Sequence, residues 1–85
     1  MSIRVRFFAS LKEQMGCDSL AVDSAFTPPT VAGLTAHLQA SNPQFAKALG
    51  EIGRVRAAVN HDMADNETAV PSGAEVAYFP PVTGG

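Results

Sequence analysis

Residues 3–22, with the sequence IRVRFFASLKEQMGCDSLAV, decide how this chain folds. Apolar and polar side chains alternate over residues 3–7, and this period of two predicts a half-buried first strand. A second short strand is predicted at residues 20–22, where Leu and Val flank Ala. Between the strands, Ser10 is predicted to cap a short helical turn and Gly16 to end it. The short gap favours an antiparallel, hairpin-like pair.

Phe8 does not fit the alternation of the first strand. It falls on the polar face, with Arg4 and Arg6, where a phenyl ring is out of place unless another surface covers it. We therefore expect Phe8 to be an exposed aromatic side chain that is available to a partner.

The middle of the chain predicts helix. Residues 27–29, TPP, interrupt the chain, and Thr30 is predicted to cap the helix that follows. Spacings of three and four place one apolar face of this helix on Val31, Leu34 and Leu38. Asn42 is predicted to start a second helical segment with Pro43 in its first turn and Gly50 at its end. The apolar face of that segment consists of Phe45, Ala48 and Leu49.

The last third of the chain reads as strands and turns. Residues 54–60, RVRAAVN, predict a third strand, and residues 60–62 a turn. One short edge strand is expected between residues 63 and 70, and residues 71–73, PSG, signal another turn. Residues 75–79, EVAYF, predict the closing strand.

In the closing strand, Val76 and Tyr78 are expected to face the core, which turns Ala77 and Phe79 outward. The resulting order of elements is β-β-α-β-(β)-β. It predicts an α+β domain in which a mixed sheet packs on one main helix. The β-grasp (ubiquitin-like) fold is the small architecture that fits this order.

Composition restricts the classes of function. Charged residues make up 16% of the 85 positions, below the usual share of about 25%. This suggests that apolar surface is left exposed for a partner. A formal net charge of −2 argues against nucleic-acid binding. We find no signal-peptide pattern and no apolar run that could span a membrane. A lone cysteine fits a reducing compartment, so the cytoplasm is expected.

The residues predict no self-contained active site and no metal site. Cys17 has no partner at metal-binding or redox spacing. The histidines, His37 and His61, are isolated from each other in sequence. The acidic loop at residues 62–67 lacks the glycine and glutamate positions of a calcium-binding loop. Phosphate-binding loops and nucleophile elbows are also missing.

The last six residues, PPVTGG, are predicted to form a tail. We expect a β-grasp domain over residues 1–79 and an extended tail over residues 80–85. The paired prolines prevent continuation of the sheet, and the tail reaches roughly 20 Å. Frayed chain ends are also rich in small residues, but a frayed end would have no need of two prolines to stiffen it. The terminal carboxylate of Gly85 is then the candidate reactive group. It is inert until activated, and a side chain at Gly84 or Gly85 would obstruct its entry into a narrow passage.

The chain resembles a known family over its whole length. The matching segments are the Val-Asn pair before the turn at residue 60, the glycine of the last turn, Gly73, with the Glu-Val pair after it, and the ending FPPVTGG at residues 79–85. They are similar to the small subunit of molybdopterin synthase, a β-grasp sulfur carrier. One departure is Ala74, where that family commonly has an acidic residue.

The resemblance implies a carrier without catalytic side chains of its own, a subunit of a heteromeric sulfurtransferase. An E1-like adenylyltransferase would activate Gly85 with ATP, and a sulfur-donor protein would supply the sulfur of a thiocarboxylate. The tail would enter the synthase large subunit within a heterotetramer and donate sulfur to cyclic pyranopterin monophosphate, forming the dithiolene of molybdopterin. No cofactor would be bound to the chain itself.

The resemblance also implies which residues contact partners. Gly84 and Gly85 would be the reacting end, and the contact residues would be Phe8, Lys12, Phe79, Pro80, Pro81, Val82 and Thr83. Two other functions share the Gly-Gly ending: a ubiquitin-like modifier joined to lysines through Gly85, and a sulfur carrier for another pathway such as thiamine or cysteine synthesis. The Pro-Pro-Val-Thr element argues against the latter.

Overall fold

The chain begins with an antiparallel strand pair. The computed structural model describes residues 2–81, in which β1 (Ser2–Phe7) and β2 (Ser19–Asp23) flank a short helix, α1 (Ala9–Met15). The two strands are antiparallel, with Ile3 opposite Val22. The predicted pair is therefore confirmed, and the alternation places Ile3, Val5 and Phe7 in the core.

The start of α1 differs from the prediction. Ser10 was expected to cap the helix, but α1 begins at Ala9 and its N-cap is Phe8, which makes no side-chain capping hydrogen bond. Ala9 takes a positive φ of 55°. The amide N–H of Phe8 donates instead to the carbonyl of Tyr78 at 3.2 Å, so the helix start is fixed by the sheet. Gly16 ends the helix with φ 74°, as predicted.

Two further helices follow, α2 (Val31–Ser41) and α3 (Pro43–Ile52). The predicted caps are confirmed, because Thr30 accepts a hydrogen bond from the amide of Gly33 and Asn42 accepts one from the amide of Phe45. The predicted end of α3 is wrong. The helix passes through Gly50 and stops at Gly53, whose φ of 90° is a conformation that favours glycine.

The remaining strands are β3 (Arg56–Val59), β4 (Asp62–Ala64) and β5 (Glu75–Phe79). The predicted β3 started two residues too early. The turn between β3 and β4 is centred on Asn60 and His61, both with positive φ, which is the geometry of a tight two-residue hairpin. The side-chain oxygen of Asn60 accepts a hydrogen bond from the amide of Glu75 at 3.0 Å, so this turn also holds the start of β5.

Within residues 2–81 the five strands form one mixed sheet in the order β2-β1-β5-β3-β4. The last strand of the sequence lies in the centre of the sheet. It runs parallel to β1 and antiparallel to β3. The closing strand is therefore hydrogen-bonded on both sides and ends immediately before Pro80.

The helices pack on one face of this sheet. The ring of Phe45 from α3 lies 6.2 Å from the ring of Phe7 and 5.4 Å from that of Tyr78, measured between centroids. Leu34 and Leu38 of α2 are buried in the same core. The mixed sheet and its helices confirm the predicted α+β class, although two helices of similar length take the place of one main helix.

None of the helices described in residues 2–81 is both long and apolar enough to cross a membrane.

Candidate functional site

The sheet has one face that the described helices leave uncovered. We call it the outer face. Strand register assigns to it the side chains that alternate with the core residues on β1, β5, β3 and β4. They are Ser2, Arg4, Arg6, Glu75, Ala77, Phe79, Arg56, Ala58 and Met63. Apolar side chains are accessible here, since Met63 is 58% exposed. Exposed apolar surface of this kind is typical of partner-binding sites.

Phe79 lies on the outer face at the end of the central strand. It is half-buried and stands opposite Arg56 on β3. Pro80 and Pro81 follow directly and are also half-buried. The predicted outward orientation of Phe79 is confirmed by the alternation of burial along β5. The last aromatic residue of the sheet is thus adjacent to the first residues of the predicted tail.

Phe8 lies close to the same end of the sheet. Its side chain is 42% exposed, and its backbone bonds to Tyr78, the residue that precedes Phe79. Lys12 is exposed one helical turn further on, and its amide donates to the carbonyl of Phe8. Phe8, Lys12 and Phe79 are therefore positioned around the junction of β1, α1 and β5.

Arg6 connects Phe8 to the outer face. Its guanidinium carbon lies 5.5 Å from the centroid of the Phe8 ring, within the range of a cation–π contact. The same guanidinium donates to a carboxylate oxygen of Glu75 at 3.3 Å. The imidazole of His61 approaches the other oxygen of that carboxylate at 3.5 Å. The exposed ring of Phe8 is thus held by an arginine that is itself anchored to the central strand.

Beneath this region, Tyr78 forms a buried polar contact. Its hydroxyl lies 2.7 Å from that of Thr35, and the hydroxyl of Thr35 donates to the carbonyl of Val31 at 2.8 Å. Because Thr35 has a single hydroxyl proton, Tyr78 must be the donor in their shared bond. Burial raises the pKa of Tyr78 to about 12.

A shallow cleft of about 500 Å³ adjoins Pro81 on the helix side of the sheet. Arg54, Asp65 and Asn66 are among its lining residues, and so are Thr35 and Tyr78. The hydroxyl groups of Thr35 and Tyr78 are bonded to each other. The cleft therefore presents no activated nucleophile among the residues described.

The other sequence candidates do not assemble into a site. Cys17 is half-buried against the core as a free thiol. His37 packs near the ring of Phe26, at 6.0 Å between centroids. In the loop after β4, Asp65 accepts hydrogen bonds from the amide of Glu67 and the hydroxyl of Thr68. Among residues 2–81, no three His, Cys, Asp or Glu side chains are grouped to hold a metal ion.

Part of the predicted site lies outside the described residues. Val82, Thr83, Gly84 and Gly85 follow the last described position. Their proposed roles, and the division of the chain at residues 79 and 80, stay predictions. The same holds for partner binding by Phe8, Lys12, Phe79, Pro80 and Pro81, whose positions are now known.

Sequence reasoning missed two residues that shape this surface. Arg6 was placed only on a polar face, and its contact with Phe8 depends on the turn into α1. Arg56 lies opposite Phe79 only because of the β3–β5 register. Alternation along one strand gives the face of a residue. It does not give the neighbour on the next strand.

Comparison with known proteins supports the architecture. SAMP1 from Haloferax volcanii, a small archaeal modifier protein, superimposes with a TM-score of 0.77 at 29% identity over 100% of both chains. A solved complex of subunits 1 and 2 of the molybdopterin-converting factor from Helicobacter pylori contains a chain that matches with a TM-score of 0.65 at 29% identity, again over 100% of both. The fold is thus the predicted ubiquitin-like β-grasp.

The sequence comparisons define the family. The molybdopterin synthase sulfur carrier subunit of Escherichia coli (strain K12) is 43% identical over 83 residues, which cover 98% of this chain and 99% of the relative. The ThiS family matches residues 5–85. The chain belongs to the ThiS family.

Proposed function

We propose that this chain is the sulfur carrier subunit of a molybdopterin synthase. One observation carries the proposal: the central strand β5 ends in Phe79 on an uncovered face and leads at once into Pro80 and Pro81. A β-grasp body whose central strand ends at this point would present the C-terminal residues to another protein. Full-length similarity to the curated carrier of Escherichia coli supports the same function.

The chemistry takes place on the terminal carboxylate of Gly85. A carboxylate oxygen attacks the α-phosphorus of ATP on an E1-like enzyme, and pyrophosphate leaves to give an acyl adenylate. Sulfur at the oxidation level of sulfide, delivered by a donor protein, then attacks the acyl carbon, and AMP leaves. The product is a thiocarboxylate. ATP is used by the activating enzyme, and the carrier itself needs no bound cofactor.

The thiocarboxylate then serves as a co-substrate. In the large subunit its sulfur bonds to a carbon of cyclic pyranopterin monophosphate in place of an oxygen substituent. Water cleaves the bond between sulfur and the acyl carbon, which returns Gly85 as a carboxylate. Two such transfers build the dithiolene. The fold likeness to a chain of the two-subunit complex of Helicobacter pylori supports a large-subunit partner for this chain.

A carrier role requires no assembled active site on this chain. The reacting group of a carrier is its own terminus, so catalytic side chains belong to the partner. Because Gly84 and Gly85 have no side chains, they suit passage into a narrow active site of that partner.

Reconstitution tests the proposal. Thiocarboxylated chain, the cognate large subunit and cyclic pyranopterin monophosphate are expected to yield molybdopterin, measured as its fluorescent oxidation product. Chain with a Gly85 carboxylate and chain lacking Gly85 serve as matched controls and should yield none. Equal product from the thiocarboxylated and carboxylate forms would remove the basis of the proposal.

A second candidate is conjugation to other proteins. The similarity to SAMP1, named as a modifier, favours it. A modifier and a sulfur carrier share the activated terminus and differ in the acceptor, which is a lysine amine in the first case. The last trypsin site of the chain is Arg56, so conjugation would leave residues 57–85 on the acceptor lysine. Lysines of other proteins that carry this fragment, found after tryptic digestion of cells that express the chain, would support conjugation.

A further inference from the structure

We propose that Arg6 and Arg56 form a basic rim around Phe79 on the outer face, and that this rim recognises carboxylates on the protein that accepts the tail. The inference rests on the proposed function, because it assumes a protein partner at the tail. It adds the chemistry of that partner's surface and identifies residues that set the choice of partner.

The first step is the position of the two arginines. On β3, Arg56 stands directly opposite Phe79. On β1, Arg6 stands beside Ala77, two residues before Phe79 on the same face. Phe79 therefore lies between cationic strands on its two sides. Its place at the end of β5 also puts the rim next to the start of the tail.

The second step is the charge of the outer face. The whole chain carries a formal net charge of −2, yet Arg4, Arg6 and Arg56 all lie on this face in the described part. Their acidic neighbours there are Glu75, which pairs with Arg6, and Asp23 at the far end of β2, opposite Ser2. Three arginines and two carboxylates thus lie on this face. Arg6 and Arg56 are the arginines nearer the end of β5, since Arg4 lies beside Glu75 at its start.

The third step is the pairing of each arginine. Arg6 is fixed by Glu75 and by the ring of Phe8, which keeps its guanidinium beside the aromatic surface. Arg56 is exposed and makes no ion pair with any residue in the range 2–81. Guanidinium groups bind carboxylates in a bidentate, directional manner. Arg56 therefore has donors available to a partner beside Phe79. Arg4 is also exposed and has no ion pair within residues 2–81, but it lies beside Glu75 at the start of β5.

These three points indicate which kind of protein surface would bind at Phe79. An apolar centre at Phe79 with an arginine rim fits a protein surface that has an apolar pocket bordered by Asp or Glu. Arginine beside aromatic residues is the composition of strong binding sites between proteins. Opposite charges at a rim mainly raise the association rate and exclude wrong partners. We therefore expect the acidic border on the synthase large subunit.

The experiment measures association of the full-length chain with the cognate large subunit at several NaCl concentrations. Arg56→Glu is expected to lower the association rate by about threefold to tenfold at low salt and to flatten its salt dependence. Lys47→Glu makes the same change of charge at an exposed position on α3. It should leave the association rate close to that of wild type. The association rate of Arg56→Gln should lie between those of wild type and Arg56→Glu. Arg56→Gln takes the place of Arg56→Glu in the test if the charge-reversed variant fails to fold.

The outcomes separate the inference from the proposed function. If Phe79→Ala weakens binding while Arg56→Glu and Lys47→Glu behave alike, the basic rim is refuted and the carrier function stands. If Arg56→Glu alone loses rate and salt dependence, the rim is supported. If the wild-type chain does not bind the large subunit at all, the proposed function and the inference fail together.

Discussion

At the scale of single residues, Tyr78 shows how burial and hydrogen bonding decide a protonation state. It is the only tyrosine in the sequence, 1% exposed, and it donates to Thr35 in the core. Ionising the phenol would place a negative charge in this apolar setting and remove the proton that makes the bond. The native state therefore favours the neutral form.

This predicts a specific loss of stability in alkali. The pKa of Tyr78 rises from 10.0 to about 12 in the folded chain, so folding favours the protonated form. The contribution is fully present below pH 10 and is lost as the pH rises towards 12. Two pKa units correspond to about 3 kcal/mol of the free energy of unfolding. Denaturant unfolding at a series of alkaline pH values measures it.

The matched control for this prediction is Tyr78→Phe, which removes the titrating group and one hydrogen bond. We expect the variant to be less stable than wild type by about 1 kcal/mol at neutral pH. It should lack the extra loss between pH 10 and 12. Tyrosinate absorbance reports Tyr78 alone in wild type. A phenol that ionises near pH 10 in the folded chain would contradict the account.

At the scale of elements, the entry into α2 depends on Gly33. A Cβ atom at this position would lie 1.8 Å from the carbonyl oxygen of Pro28. That oxygen also accepts a hydrogen bond from the amide of Thr30 at 2.8 Å, so it is not free to move away. Glycine lowers helix propensity by about 1 kcal/mol relative to alanine, and the close approach of the preceding loop explains its presence here.

We therefore predict that Gly33→Ala lowers the free energy of unfolding by about 1–3 kcal/mol, as overpacking of a tight site does. The gain in helix propensity is too small to offset the clash with the Pro28 backbone. Urea unfolding followed by far-ultraviolet circular dichroism measures the change.

Gly50→Ala is the control for this prediction. Gly50 lies within α3, and apart from its chain neighbours and its own helix backbone no atom stands within 4 Å of a Cβ built there. The substitution should raise the free energy of unfolding by about 0.5–1 kcal/mol, the usual difference between alanine and glycine in a helix. Equal effects at Gly33 and Gly50 would mean that the Pro28 loop moves aside.

Much of the secondary structure could be predicted from local patterns. Alternation at residues 3–7 and 75–79 identified β1 and β5. Thr30 and Asn42 were recognisable as caps because their side chains bond backbone amides only three residues away. These features depend on neighbours in sequence, and the sequence contains those neighbours.

The errors occurred where distant residues decide the outcome. The strand β3 starts at Arg56 because its partner β5 ends opposite, at Phe79. The start of α1 depends on the Tyr78 carbonyl, which holds the amide of Phe8. Gly50 and Gly53 look alike in sequence, and only the backbone path shows that Gly53 is the one with positive φ. The outer face, with Arg6 beside Phe8, likewise requires the strand order.

At the scale of the whole molecule, the fold places its last strand in the centre of the sheet. The closing strand β5 pairs on both sides, with β1 and with β3. Turn residue Asn60 binds the start of β5 through the amide of Glu75. A strand that is hydrogen-bonded on both sides therefore holds Phe79, the residue directly before Pro80. This arrangement suits a body that presents its terminus to other proteins.

The central claim concerns Gly85 and has one direct measurement, the intact mass of the chain from cells that contain the cognate activating enzyme and sulfur donor. We expect a species heavier than the unmodified chain by the difference between one sulfur and one oxygen atom. It should be absent from chain lacking Gly85 and from cells without the activating enzyme. If wild-type chain keeps the mass of its carboxylate form in the presence of the active enzyme and donor, the claim that Gly85 carries sulfur is contradicted.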